Sequence, residues 1–216
     1  MNIVIFGPPG AGKGTQSNFI VKNYNLIQLS TGDFLRKEIK EETKLGLKIK
    51  KIVDSGNLVS DEIVGELIEK TISNRSYKNR LIFDGYPRNI SQAENLDKIL
   101  KRYNQKISLV LRLKVSLETI KKRISGRSTC STCGKIYNDF YNPPPKDSKC
   151  CSSNSLKKRS DDNVDVAIKR FKTYENETQP VLDYYDKYGL LKEINGENQI
   201  NLIFKEISDI INVIEG

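Results

Sequence analysis

The sequence contains no histidine among its 216 residues. This absence excludes nucleophilic triads that use an imidazole as the base. It also excludes any zinc site with a histidine ligand. Any catalytic or metal-binding role therefore falls to other residue types.

The sequence also lacks a long apolar run. No stretch of about 18 apolar residues occurs, which predicts that no segment spans a membrane. The apolar start, residues 2–6, is too short for a signal peptide and leads into glycines without a small-residue cleavage site. We therefore expect a cytoplasmic protein with one well-buried core and room for small inserted subdomains.

Acidic residues are too few to balance the basic ones, and the formal net charge is +9. Such a charge is compatible with nucleic acid, a membrane surface or a small anionic ligand as partner. The lysines are spread along the chain rather than collected in a tail, so much of this charge is expected on solvated helix surfaces. The arginines are fewer and lie near the motifs described below, so they carry more information about function.

Short apolar segments alternate with helical patterns along the chain. The predicted strands are 2–6, 26–30, 81–85, 107–115 and 190–194. This alternation predicts an α/β fold in which helices cover both faces of a parallel sheet. Ligands of such sheets bind at the carboxyl ends of the strands, so the segments after residues 6, 83 and 194 are expected to converge on one crevice.

Several local signals predict where helices begin and end. Ser60 is a candidate N-cap followed by acidic residues, and Ser91 with Glu94 has the spacing of a capping box. Pro180 is expected to break or kink the long helix that follows residue 161.

The segment "GPPGAGKGTQ", residues 7–16, follows the first predicted strand and is called the glycine loop below. Its glycines allow successive backbone N–H groups to turn around an anion, at the positive end of the following helix. Lys13 can follow the β- and γ-phosphates of a nucleotide. Gly14 stands where a magnesium-ligating hydroxyl usually follows the lysine, and Thr15 comes one position later. Magnesium is therefore expected to be held more by nucleotide phosphates and water.

The four cysteines are confined to one segment, residues 130–151. In a cytoplasmic chain this clustering favours a metal over disulfides. Cys130 and Cys133 have the spacing that turns two sulfurs towards one metal, and Gly134 relaxes the turn. Residues 127–158 are rich in Cys, Ser, Asn, Lys and Pro with little helical periodicity, which predicts an inserted lobe.

The glycine loop has the form GxPGxGKGT, which resembles the loop of nucleoside monophosphate kinases. Further motifs follow in order along nearly the whole chain: STGDFLR (30–36), GNLVSDE (56–62), FDGYPRN (83–89) with Gln92, GR (126–127), RSDD (159–162) and KRF (169–171). This ordered series resembles the signature of adenylate kinases. The resemblance implies reversible, magnesium-dependent transfer of a phosphoryl group from ATP to AMP, giving two ADP without a covalent enzyme intermediate. The acceptor is an anionic phosphate oxygen, so a chain without histidine can carry out this reaction.

The resemblance also implies a fold and a division into three parts. It implies a P-loop three-layer α/β fold with a parallel five-stranded sheet, a small helical NMP-binding insertion and a cysteine-containing lid. The core is expected at 1–29, 60–125 and 164–216, the NMP-binding insertion at 30–59 and the lid at 126–163. Gly126 is a predicted hinge position, and closure of the lid is expected to exclude water.

The resemblance assigns roles to individual residues. The implied catalytic residues are Lys13, Asp84, Arg88, Arg123, Arg159 and Arg170. The implied ATP contacts are Gly10, Ala11, Gly12, Lys13, Gly14, Thr15, Arg123, Arg127, Ile136, Tyr137 and Asn198. The implied AMP contacts are Thr31, Arg36, Asn57, Leu58, Val59, Gly85, Arg88, Gln92, Arg159 and Arg170. Arg36 and Arg88 would grip the AMP phosphate, Gln92 would read the base edge, and Asp84 would hold the magnesium shell. Asp162 would orient arginines.

The metal site departs from the pattern of the family. Adenylate kinases with a long lid often carry a structural zinc completed by a second pair spaced C-x-x-C or C-x-x-D. Cys150 matches the third ligand, but the residue three positions later is Ser153, a poor zinc ligand. Either Cys151 is the fourth ligand, or three cysteines and a water bind the metal, or the site is lost and the lid folds through polar contacts alone.

Two other functions are compatible with parts of the sequence. UMP/CMP kinases resemble the core, but Thr31 and the long insertion favour AMP. A zinc-ribbon nucleic-acid-binding protein is suggested by the charge and the cysteines, although the lobe lacks a basic and aromatic binding stripe. We expect a monomer that binds ATP, AMP and ADP, without nucleic-acid or membrane partners.

Overall fold

The computed structural model describes residues 1–41, 44–54, 59–145, 148, 150–159 and 161–215. The strands are β1 (Ile3–Phe6), β2 (Ile27–Ser30), β3 (Leu81–Asp84), β4 (Leu109–Lys114), β5 (Arg127–Cys130), β6 (Ile136–Asn138), β7 (Leu156–Lys157) and β8 (Leu191–Asn195). The helices are α1 (Lys13–Tyr24), α2 (Thr31–Lys40), α3 (Lys44–Asp54), α4 (Asp61–Ile72), α5 (Ile90–Arg102), α6 (Leu117–Ser125), α7 (Val164–Thr173), α8 (Gln179–Asp186) and α9 (Ile200–Glu215). None of these helices is long and apolar enough to cross a membrane.

The core sheet has five parallel strands in the order β2-β3-β1-β4-β8, which confirms the predicted fold class. β1 lies at its centre, and Ile3 is paired with Ile82 on one side and Leu109 on the other. All four residues of β1 are buried, as expected for a parallel strand that helices cover on both faces.

Successive side chains of β1 point into two different apolar layers. Val4 and Phe6 lie in the layer that includes residues of α5 and α8, whereas Ile3 and Ile5 lie in the layer that includes residues of α1, α6 and α9. This alternation follows the two-residue period of a strand. Each fully buried aliphatic side chain stabilises the fold by about 1.5–3 kcal/mol, so the two layers together contribute much of the stability of the sheet.

The helix boundaries bear out some local signals and correct others. The predicted capping box at Ser91 is wrong, because α5 begins two residues earlier than that cap implies. Asn89 is its N-cap and accepts a hydrogen bond from the backbone N–H of Gln92 at 2.8 Å. Ser60 does stand at the N-cap of α4, but its side chain makes no capping hydrogen bond. Pro180 lies in the first turn of α8, and a π-helical turn precedes this helix, so the helix changes form near the predicted position. Residues on both sides of the junction keep right-handed helical angles, so the helix is not broken there.

The cysteine-rich insertion forms a small antiparallel sheet of its own, in the order β6-β5-β7. The sequence predicted only an insertion without helical periodicity. The strands are short, and polar residues dominate them, so their composition gives little signal. We keep the name lid for residues 126–163; this boundary, like those of the core and the NMP-binding insertion, remains a prediction.

Candidate active site

A cleft of about 860 Å³ opens at the carboxyl edge of the core sheet. It is lined by the glycine loop, by the segments that follow β3 and β8, and by residues of the lid. The predicted site residues among its lining are Gly10, Ala11, Gly12, Lys13, Gly14, Thr15, Arg36, Asp84, Gly85, Arg88, Arg123, Arg127, Ile136, Tyr137, Arg159, Arg170 and Asn198. The expected convergence of these segments on one crevice is confirmed. The individual roles stay predictions.

The glycine loop has a backbone that requires glycine. Gly10 and Gly12 have φ angles of 86° and 98°, in the left-handed region. A Cβ atom at Gly10 would also lie 3.2 Å from the side chain of Ile124. Gly12 is the N-cap of α1 and offers no side-chain cap, and the first turn of this helix has no acidic residue. The backbone N–H groups of this first turn have no acceptor within the helix, and this arrangement suits an anion.

Lys13 lies at the base of the cleft and is held by the loop itself. Its Nζ donates hydrogen bonds to the backbone oxygens of Gly7 at 2.7 Å and Pro8 at 3.2 Å. Burial lowers the pKa of Lys13 to about 8, and the neighbouring charge of Asp84 limits that shift. An anion in the loop would favour the protonated form of this side chain.

Several arginines surround the same space. Burial lowers the pKa of Arg88 to about 10, with the charge of Arg170 as the next cause. Burial also lowers the pKa of Arg159 to about 10, with Arg127 next. Guanidinium groups that perturb one another in this way form a site of strong positive potential, which a polyanion would relieve.

Three of the arginines already have carboxylate partners. Arg36 is paired with Asp33, Arg127 with Asp162 and Arg170 with Asp161. The contact of Arg127 with Asp162 agrees with the prediction that this aspartate orients an arginine. Asp161 was not predicted as a site residue, although it stands beside Asp162 in the same motif and lines the cleft.

Asp84 ends β3 and faces the glycine loop. Burial raises the pKa of its carboxyl group, and the nearby charge of Lys13 opposes that rise. Gln28 donates to Oδ2 at 2.9 Å. A carboxylate held in this way at the base of a phosphate cleft fits a role in binding the water shell of Mg²⁺.

Arg123 connects two loops of the cleft. Its guanidinium donates to the backbone oxygens of Ala11 at 3.0 Å and Gly196 at 2.7 Å. It also lies over the ring of Tyr141, 5.2 Å from the centroid. Tyr141 and Phe140 also line the cleft, and neither was predicted as a site residue.

The structure does not bring every predicted AMP contact to the cleft. Thr31, Val59 and Gln92 are buried and are not among the described residues that line it. Thr31 donates to the backbone oxygen of Gly85 at 3.0 Å. Gln92 accepts from the backbone N–H of Arg88 at 2.8 Å and donates to Asp61 at 2.5 Å. Asn57 and Leu58 lie outside the described residues.

Sequence reasoning also missed residues of the segment that follows α7. Tyr174 and Thr178, in the π-helical turn Tyr174–Thr178, line the cleft. No local motif marks them. Their position depends on the turn that precedes Pro180, and the sequence predicts only that the helix changes there.

The four cysteines form a compact cluster in the lid. Their sulfur atoms, from Cys130, Cys133, Cys150 and Cys151, all lie within 4.8 Å of one another. The Sγ atoms of Cys133 and Cys151 are 3.5 Å apart. Backbone N–H groups of the turn, chiefly that of Cys133, lower the pKa of Cys130 to about 6. Cys151 thus places a fourth thiol in the cluster.

Comparison with known proteins gives one consistent family. A family model described as adenylate kinase matches residues 5–190. The chain is 46% identical to an adenylate kinase of Pelagibacter ubique over 213 residues, which is 99% of this chain and 100% of that relative. It is 45% identical to one of Methanothrix thermoacetophila, over 98% of each chain, and 40% identical to one of Archaeoglobus fulgidus, over 100% of each. The match of the family model and these full-length identities show that this protein belongs to the adenylate kinase family.

Proposed function

We propose that the cleft converts ATP and AMP reversibly into two ADP by direct in-line transfer of a phosphoryl group. The chain is a phosphotransferase of the adenylate kinase family. The observation that carries the proposal is the meeting of an anion-binding glycine loop with arginines from several elements in one cleft. Phosphoryl transfer requires positive charge around the equatorial oxygens and exclusion of water, and it requires little covalent chemistry.

The glycine loop is proposed to hold the ATP phosphates. The N–H groups of residues 10–15 would surround the β-phosphate, and Lys13 would leave its carbonyl partners to follow the transferring group. Arg127 would face the phosphates from the lid. Ile136, Tyr137 and Asn198 would border the adenosine, which is supported by their position along the same cleft.

AMP is proposed to bind on the opposite side of Asp84. Arg36 and Arg88 would bind its phosphate. Gly85 has a φ of 81° and no side chain, so the nucleotide would be able to approach its backbone closely. Thr31, residues 57–59 and Gln92 would form the base pocket. Thr31 and Gln92 are buried here, so their part in binding requires local rearrangement around the incoming base.

The charge shell is proposed to be completed by Arg159 and Arg170 as the lid approaches. Magnesium, bound with the nucleotide, would neutralise charge on the β- and γ-phosphates, with Asp84 and Thr15 as the protein groups nearest to it. The ion pairs of Arg127 with Asp162 and Arg170 with Asp161 orient two guanidinium groups before any ligand binds. We propose that residues 126–163 move as this lid, with 30–59 as the NMP-binding insertion and the remainder as the core.

The cysteine cluster is proposed to bind one structural zinc through four thiolates. A tetrahedral zinc with bonds of about 2.3 Å places its sulfur ligands about 3.8 Å apart. The observed separations, all within 4.8 Å, fit this spacing. Such thiolate sites suit a reducing compartment, which supports a cytoplasmic location. We further propose a monomer whose ligands are nucleotides rather than nucleic acid.

The first experiment is an acceptor screen. ADP formation from ATP and Mg²⁺ is measured with AMP, GMP, CMP, UMP and dTMP, after the protein has been desalted, with zinc content measured on the same sample. Rapid turnover with AMP alone is expected. A preference for UMP or CMP would keep the phosphate chemistry and overturn the base assignment. No turnover with any acceptor would overturn the proposed function.

A further inference from the structure

The π-helical turn Tyr174–Thr178 joins α7 to α8 along one wall of the cleft. A π turn adds one residue to the helix and rotates the residues that follow it. Such turns are rare in proteins, and those that occur are often at functional sites. Here the turn separates the helix that carries Arg170 from the helix that begins near Pro180. Its last residue, Thr178, therefore faces a direction that an uninterrupted α-helix would not give it.

The side chain of Thr178 makes a specific polar contact with a distant residue. Its hydroxyl donates a hydrogen bond of 2.9 Å to the backbone oxygen of Arg88. Thr178 is only 6% exposed, so water has little access with which to replace this bond. The hydroxyl is thus committed to a residue that lies 90 positions away in the sequence.

The backbone of Arg88 is held from both sides. Its N–H donates to the side-chain oxygen of Gln92 at 2.8 Å, and its carbonyl oxygen accepts from Thr178. Its side chain is fixed as well, because Nε donates to the backbone oxygen of Gly85 at 2.7 Å. Gln92 and Gly85 belong to the same stretch of chain as Arg88, whereas Thr178 reaches it from a distant element.

We propose that Thr178 is a positioning residue for Arg88. Its hydrogen bond fixes the backbone from which the guanidinium reaches the acceptor phosphate, and it couples this arginine to the helix that carries Arg170. The inference rests on the proposed function, in which Arg88 binds that phosphate. A displacement of about 1 Å in such a group can cost up to about a hundredfold in rate. The loss of one neutral hydrogen bond corresponds to about fivefold to tenfold.

The test compares two substitutions at one position. Thr178→Val keeps the shape and removes the hydroxyl, whereas Thr178→Ser keeps the hydroxyl and removes a methyl group. We expect Thr178→Val to lower kcat/KM for AMP by about fivefold to tenfold with KM for ATP unchanged. Thr178→Ser should restore most of this loss. Thr71→Val, at a half-buried position in the last turn of α4 that is not among the described residues lining the cleft, controls for the substitution itself and should leave both constants unchanged. Equal activity of Thr178→Val and wild type, or a Ser variant as impaired as the Val variant, would overturn the proposal.

A double-mutant cycle shows whether Thr178 acts through Arg88. In an Arg88→Ala background, Thr178→Val should cause no further loss of kcat/KM for AMP. A full additional loss in that background would overturn the positioning role. Thermal unfolding of each variant is followed in parallel, and Thr178→Ala replaces the Val variant should the latter not fold. An inactive wild-type chain would overturn the proposed function itself, whereas an active wild type with an additive cycle would overturn only the role of Thr178.

Discussion

The two sides of the cleft offer positive charge by different means. On the glycine loop, the charge comes mainly from backbone N–H groups and the start of α1, within ten consecutive residues. On the other side, it comes from guanidinium groups that β3, α2, α7 and the lid bring together. Backbone donors cannot titrate, rotate away or be removed by one side-chain truncation. The arginines can do all three, which makes that side adjustable and more vulnerable to single substitutions.

The largest expected effect is the loss of one arginine from the adjustable side. Arg88→Ala should lower kcat/KM for AMP, with a loss of transition-state stabilisation of about 2–4 kcal/mol. The reason is that a charge-assisted contact to the transferring or accepting phosphate is removed in a site sheltered from water. Steady-state kinetics with AMP as the varied substrate measure it. Arg75→Ala removes an exposed arginine of the turn Arg75–Tyr77 and is the matched control. Unchanged turnover in Arg88→Ala would remove this residue from the site.

The backbone side is tested by changing its geometry. In Gly10→Ala, the new Cβ meets Ile124 at 3.2 Å and the φ of 86° disfavours any side chain. The strain is about 1–2 kcal/mol, and it falls on the loop that is proposed to hold the phosphates. We expect KM for ATP to rise about tenfold or more, with a smaller change in KM for AMP.

Gly189→Ala separates strain from site geometry. This glycine also has a positive φ, of 69°, but a Cβ there would meet nothing within 4 Å. Gly189→Ala should therefore lower the midpoint of thermal unfolding without changing KM for ATP. A loop variant that merely matched this control in both measurements would contradict a phosphate-binding role for the loop.

A related contrast, between features formed by consecutive residues and features formed by distant elements, explains which parts of the structure could be predicted from the sequence. The glycine loop, the strands of the core sheet and the pair Cys130 and Cys133 follow from local patterns, so each was predictable from consecutive residues. The place of Cys151 in the cluster was left open, because it depends on how two distant parts of the lid meet. Thr178, Tyr174 and Asp161 were not predictable, because their place in the cleft depends on a helix irregularity and on packing between distant elements. The short strands of the lid were missed because polar residues dominate them. The capping error at Ser91 arose because Asn89, two residues earlier, is an equally good N-cap.

The cysteine cluster of the lid is proposed to be held together by a zinc ion rather than by apolar packing. Cys151→Ser should reduce bound zinc from about one ion per chain to well below that, since a thiolate ligand is replaced by a poor one. The lid should then become more susceptible to proteolysis, and kcat should fall by less than in Arg88→Ala. Zinc analysis and limited proteolysis measure these effects. Ser153→Ala is the control, and a loss of zinc in that variant instead would assign the fourth ligand to Ser153.

The smallest expected effect concerns the one titrating group of the glycine loop. Lys13 has a pKa lowered to about 8 in the free protein, so its charge is present below that pH and is lost as the pH rises through it. The value of kcat/KM for ATP reports the free enzyme and should decline by about tenfold towards roughly pH 9. At saturating nucleotide, the bound phosphates favour protonated Lys13, so kcat should hold to a higher pH. Lys13→Arg should show no inflection near pH 8, whatever its absolute activity. An unchanged kcat/KM across this range in the wild type would mean that the backbone donors of the loop, and not the lysine charge, dominate ATP capture.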